Sequence, residues 1–399
     1  VSLDQFRGYT VAGMILVNYV GDFALTHPVL KHHNTYFSYA DTIMPAFHFA
    51  VGFALRLTLL RRIARAGRRD AYLRVVRRCL GLILLSTVLD FATSGQRFQN
   101  WTDLRRTGLW ATLAGPLKCD FWETLAIIGV TSLWVLPVMA AGVRVRVAFL
   151  VACAALHALL AHFLYFDFLN ARPNILDPYW GAARVRGLDG GPLGFLAWAV
   201  PQLVGSLAYD AITAGPGGRA ARRLFAWSVL LMGGGYGLSC LATVYPRTEP
   251  PTVREERMVV ARSPVLPPVR AGESPDAALA EPPFVQPAAD EQRQLNYWLM
   301  DKRVVTLPFN LFATGFCLAV YALFVLLCDV GHWQAGLFRT FGQNALAAYL
   351  IHEVVGKAVG GFAPPDSPLG WLAVIFTVYA GITYLFVRYL EKNGIYLRM

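Results

Sequence analysis

Between positions 18 and 41 the chain gathers an amide (Asn18), two carboxylates (Asp22, Asp41) and three imidazoles (His27, His32, His33). An imidazole oriented by a carboxylate is a general base near neutral pH, and a neighbouring amide suits an orienting role or donation to an oxyanion. The candidates for catalysis are therefore His32, His33, Asn18 and Asp41. Each also has a plainer use. Ser38 and Asp41 have the spacing of a capping box, so Asp41 fits the start of a helix as well as a catalytic pair. His32 and His33 also suit a solvated loop, and Asn18 suits a hydrogen bond between membrane helices.

A second group lies late in the chain. Asn344, Ala348 and His352 recur at steps of four, which places them on one helical face, with Glu353 beside His352. Asn344, His352 and Glu353 suit a proton relay, a clamp on a substrate hydroxyl or an anchor at the membrane interface. His162 and Asp167 have HxxxxD spacing, but two fixed positions without an α/β setting carry little. The six cysteines show no CxxC spacing, so neither a disulfide framework nor a metal site is expected.

The elements that must position these groups follow from composition. Charged residues are 15% of the 399 and apolar residues 56%. Soluble domains carry about a quarter charged residues. The deficit fits a lipid-facing surface, so the expected fold is all-α: a single polytopic bundle over 1–399. A span needs about 20 apolar residues. About ten are expected, near 8–26, 39–60, 79–94, 121–140, 147–169, 194–213, 224–244, 304–329, 341–361 and 369–389. Asp90 falls within the third of these. Between the second and third lie Arg61, Arg62, Arg65, Arg68, Arg69, Arg74, Arg77 and Arg78 against the single acid Asp70. The positive-inside rule places that segment, and with it both termini, in the cytoplasm. The net charge of +11 is then a topological signal rather than a sign of nucleic acid as partner. The basic stretch 95–120 falls outside in this topology and suggests amphipathic or re-entrant structure. The Pro-, Ala- and Glu-rich segment at about 245–303 reads as a flexible extracytoplasmic loop.

The run Ser2-Leu3-Asp4-Gln5-Phe6-Arg7-Gly8, followed by Met14-Ile15-Leu16-Val17-Asn18-Tyr19, resembles the opening of the heparan-α-glucosaminide N-acetyltransferase family. Lys31-His32-His33 leading to Ala40-Asp41 and Pro45, and Gly342-Gln343-Asn344 through Tyr349 and Glu353, resemble two further stretches of it. The family's Trp-Asn-Gly run after the histidine is missing, with Asn34-Thr35-Tyr36 nearby instead, and the extra domain of the animal enzymes is not expected. The resemblance implies a multi-pass enzyme of a bacterial cytoplasmic membrane. It would move acetyl from cytoplasmic acetyl-CoA, a co-substrate, to an amine or hydroxyl of an extracytoplasmic sugar or glycan. His32 is the likeliest counterpart of the family's catalytic histidine, with His33 the alternative. Arg56, Arg61 and Arg62 would face the nucleotide, and Asn344, His352 and Glu353 the acceptor. Direct transfer and an acetyl-histidine relay both remain open, as does the oligomeric state, a homodimer included. The alternative from another class is a secondary transporter of a sugar or organic anion. It expects helices broken in mid-membrane, and Gly233-Gly234-Gly235, Pro201 and Pro308 are the places to look.

Overall fold

The computed structural model describes residues 1–93, 101–181, 184–215, 217–248, 259–267, 279–288 and 290–397, the side chains of 90–93, 103, 104 and 107 excepted. The side chain of Asp90 and the whole of Arg97, in the basic stretch 95–120, therefore lie outside what is described. The described residues are helical, without a strand beyond an isolated Val260–Leu295 bridge. In chain order the helices are α1 (Ser2–Val20), α2 (Ile43–Thr93), α3 (Trp101–Thr107), α4 (Leu109–Lys118), α5 (Thr124–Met139), α6 (Val143–Leu160) and α7 (Phe166–Leu169). They continue as α8 (Asp177–Trp180), α9 (Gly194–Thr213), α10 (Gly217–Ser239), α11 (Leu307–Phe324), α12 (Gly336–Gln343), α13 (Ala345–Gly360) and α14 (Leu369–Lys392). Among described residues six helices are long and apolar enough to cross a membrane, or seven if 109–122 and 124–139, bent by 83°, form one span. The molecule is an all-helical protein of membrane type.

Two expected spans, near 39–60 and 79–94, are the two helical arms of α2, which meet at a kink at Gly67 (φ 81, ψ 168). Arginine is a good helix former, so the basic stretch needs no loop, and the break falls where glycine alone tolerates that backbone. Leu55 and Leu59 before the break and Ala71, Val75 and Cys79 after it share one buried cluster with α5 and α9. The expected ninth span is also divided, at Asn344 (φ −124, ψ 43) between α12 and α13.

Glycines set the tightest crossings. A methyl group at Gly8 would lie 1.8 Å from the Phe338 carbonyl oxygen, so α1 and α12 meet backbone to backbone. Gly52 against Gln202 and Gly205 against Phe49 do the same for α2 and α9. Gly235 packs on Phe312 and Pro308 of α11, and Gly315 on Ser228 and Met232 of α10. Of the Gly233–Gly235 run only Gly235 packs on a neighbour, and α10 runs unbroken through all three; α9 runs through Pro201, and Pro308 sits in the first turn of α11.

The chain ends share one end of the bundle. Gly342 packs on Asp4, Thr340 donates to Glu391 at 2.6 Å, and Asn344 joins the Ile395 carbonyl and the Leu397 amide at 2.8 and 3.0 Å. At the opposite end lie the loop after α1 and much of the segment before α11. Described parts of 245–303 pack firmly there: Leu295, Asn296, Tyr297, Leu299, Met300 and Asp301 are buried. Tyr297 Oη lies 3.0 Å from His157 Nδ1 of α6, and the Phe284 amide donates to the Phe37 carbonyl at 2.7 Å. These contacts join residues far apart in sequence, which composition alone does not reveal.

Candidate functional site

The loop from Gly21 to Tyr39 turns the chain from α1 into α2 and ends on a built cap. The Ser38 amide donates to Asp41 Oδ2 at 3.2 Å, and the Asp41 amide reaches Ser38 Oγ at 3.4 Å. Ser38 Oγ itself lies 2.8 Å from the same carboxylate oxygen. The second oxygen, Oδ1, is 2.9 Å from His32 Nδ1. Asp41 thus serves the cap and the imidazole together. Its side chain is 1% exposed, whereas that of His32 is 45% exposed. A fixed carboxylate taking the Nδ1 proton leaves the Nε2 lone pair for a partner, the arrangement of a general base.

His33 is differently placed. Its Nε2 lies 2.5 Å from Tyr36 Oη and 2.9 Å from the Pro28 carbonyl, and its ring stacks on Tyr36 at 4.0 Å. It braces the loop. Asn18 pairs with α13 rather than with His32: its Nδ2 lies 3.4 Å from His352 Nε2, while His352 Nδ1 faces the Tyr349 carbonyl. A proton on Nδ1 leaves Nε2 to accept from Asn18, so the two residues join α1 to α13. Glu353, next to His352, is half-buried. Asn344 stands apart from them, fully buried at the end with the chain termini.

The arginines expected to face a nucleotide separate into two groups. Arg56 reaches Asp210 of α9 through Nε and Nη2 at 3.1 and 3.3 Å, and its Nη1 donates to the Met139 and Ala141 carbonyls at 2.6 and 3.1 Å. Arg146 binds the same carboxylate and Ser206 Oγ. Two guanidiniums on one carboxylate leave this cluster with an excess positive charge. Arg61 and Arg62 are exposed further along α2.

The structure adds residues that spacing did not single out. Lys302, in the loop before α11, ion-pairs with Asp189 at 3.3 Å, and both side chains are largely buried. Burial acts to lower the Lys302 pKa, but the Asp189, Asp41 and Glu123 carboxylates outweigh it and the net shift is upward. Next to it Asp301 is pushed up to about 6, burial outweighing the nearby Arg303 charge and the Arg303 and Val304 amides. Glu123, Asp189 and Lys302 stand singly on three loops, so no periodicity marks them; being polar in a polar-poor chain was their only signal.

Beneath the dyad on α2, His48 is fully buried, stacks on Trp198 at 4.7 Å, and has no partner for either nitrogen among described residues. A small open depression lies to one side, lined by Tyr36, Phe37, Glu281 and Arg293 among others. No group of three or more metal-ligating side chains occurs among the described residues. Compared with known proteins, the chain matches no family model and no curated protein.

Proposed function

We propose that the protein is a transmembrane acetyltransferase. It takes acetyl from cytoplasmic acetyl-CoA and passes it to an amine or hydroxyl of a sugar or glycan on the other side. The observation that carries this reading is the His32–Asp41 pair: a buried carboxylate, fixed by Ser38, holding a half-exposed imidazole at the end remote from the chain termini. The resemblance of the N-terminal run and of the Lys31–Asp41 stretch to the acetyltransferase family supports the choice of donor.

In this reading about ten segments cross the bilayer: α1, the two arms of α2, α5, α6 with α7, α9, α10, α11, α13 and α14. The termini and the arginines of 61–78 face the cytoplasm, as the positive-inside rule expects. His32 Nε2 takes the proton of the acceptor as its nitrogen or oxygen attacks the thioester carbonyl. The carbonyl π electrons move to oxygen, and collapse expels the CoA thiolate, which receives the proton from the imidazolium. A general base of this kind is worth about 10²–10⁴ in rate.

The test is transfer of labelled acetyl from acetyl-CoA to glucosamine and to neutral sugars by the purified protein in nanodiscs. Wild type is expected to transfer, and His32→Ala to lose about 10²-fold or more in kcat. Full activity in both His32→Ala and His33→Ala would remove the mechanism. Failure to bind acetyl-CoA at millimolar concentration would favour the transporter.

A further inference from the structure

Thr35, Tyr36 and Phe37 stand in the loop between His32 and Asp41, and they form part of the wall of the small open depression beside it. Building on the acetyl-transfer reading, we infer that this depression holds the sugar that adjoins the acetylated one. The acceptor is then an oligosaccharide or a longer glycan. Its second sugar presents hydroxyls or an amine here, not a carboxylate or sulfate.

Position is carried by the chain itself. Thr35 is three residues from His32, so their Cα atoms are no more than about 11 Å apart. Two linked pyranose rings reach that far. The wall is also fixed relative to the dyad. Tyr36 Oη lies 2.5 Å from Nε2 of His33, the neighbour of His32, and Ser38, which follows Phe37, bonds the Asp41 carboxylate. On the other side Thr35 Oγ1 donates to Asp290 Oδ2 at 2.7 Å, and the Phe284 amide donates to the Phe37 carbonyl at 2.7 Å. The segment before α11, which supplies the rest of the depression with Ser239 of α10, is thereby held in register with His32.

The polar groups define the ligand. Arg293 lines the depression, with Nη1 at 3.9 Å from Glu281 Oε2 and 3.7 Å from Asp290 Oδ1. Both distances are too long for hydrogen bonds, so neither carboxylate takes up its N–H donors. Asp290 Oδ1 is buried with no hydrogen-bond partner among the described residues. Beside this open fork of donors stands an acceptor, Glu281, whose side chain is 41% exposed. A sugar hydroxyl both donates and accepts, so adjacent hydroxyls can donate to Glu281 and accept from Arg293 together. An acidic sugar fits poorly. Two carboxylates already face the one guanidinium, and Arg247, the other cation acting on it, is exposed and screened by water. Pro282, Pro283 and Pro287 line the same depression, and their fixed backbone leaves less freedom to lose on binding.

The test compares glucosamine with glucosaminyl disaccharides that differ in linkage and carry a neutral, amino or uronic acid second sugar. A disaccharide with a neutral or amino second sugar should show a KM about tenfold or more below that of glucosamine, with kcat within about threefold, because the added contacts lie away from the reacting atoms. Glu281→Ala and Arg293→Met should each raise that KM about tenfold, leaving the KM for glucosamine and for acetyl-CoA within about threefold. Should Arg293→Met lower the melting temperature, the exposed Glu281→Ala decides. Equal KM for glucosamine and every disaccharide overturns the inference alone. So does a uronic acid disaccharide as the best acceptor, or a preference that survives in both variants. A wild type inactive with acetyl-CoA overturns the acetyl-transfer reading, and isothermal titration with the disaccharides then judges the depression by itself. Weaker binding to Glu281→Ala than to wild type upholds it, and no binding to wild type at millimolar concentration removes it.

Discussion

Asp41 performs two tasks that its spacing had left as alternatives. One oxygen meets the Ser38 amide and hydroxyl, and the other meets His32. Replacing Asp41 by Asn keeps the shape but removes the charge that orients and stabilises the imidazolium, so kcat should fall about 10²–10⁴-fold in steady-state transfer assays. His33→Ala should change kcat less than about tenfold, because its ring already engages Tyr36 and Pro28. A larger loss in His33→Ala than in His32→Ala would exchange their roles. These residues were legible because histidine, serine and aspartate stand within one short loop and a helix start. The pairing of Arg56 was not legible because its partner, Asp210, is 154 positions away. Lys302 and Asp189 were silent for the same reason: their meeting depends on how two distant loops dock.

At the scale of elements, the loop before α11 carries its own titration. Asp301 is 2% exposed and pushed up to about 6, chiefly by burial. A carboxyl raised in the folded state stabilises the fold fully below its unfolded value, and that contribution is lost as pH rises through the folded one. Melting of the detergent-solubilised protein should therefore decline from about pH 4 to about 6 by as much as ~3 kcal/mol, then level off, with Asp301→Asn flattening that segment. An unchanged profile in Asp301→Asn would remove the assignment. The helix crossings predict a second effect. Gly8→Val places branched carbon where the Phe338 carbonyl stands, and should cost about 1–3 kcal/mol or more, read as a lowered melting temperature. Apolar runs located most helices, since hydropathy is a local property. The kink that divides α2 at Gly67, the division at Asn344 and the packing of 279–303 depend on tertiary contacts, which a window of sequence does not hold.

For the whole molecule, the two ends differ in chemistry. One presents the His32–Asp41 dyad and the docked segment before α11; the other gathers the chain termini, Asn344 and the Arg56–Asp210–Arg146 cluster. In oriented vesicles, a membrane-impermeant maleimide should label a cysteine substituted at His27 from one side and one substituted at Arg65 from the other. Labelling of both from the same side would end the proposal of transfer across the bilayer. The glycine contacts add a mechanical consequence. Where carbonyl and Cα of neighbouring helices touch without side chains between them, the pair has no slack to spread. The couples α1 with α12, α2 with α9 and α10 with α11 then behave like glued staves of a cask. Any widening that lets a long, thin guest through must open at the joints between couples, so a bulky residue introduced at such a joint should throttle entry while leaving the staves intact.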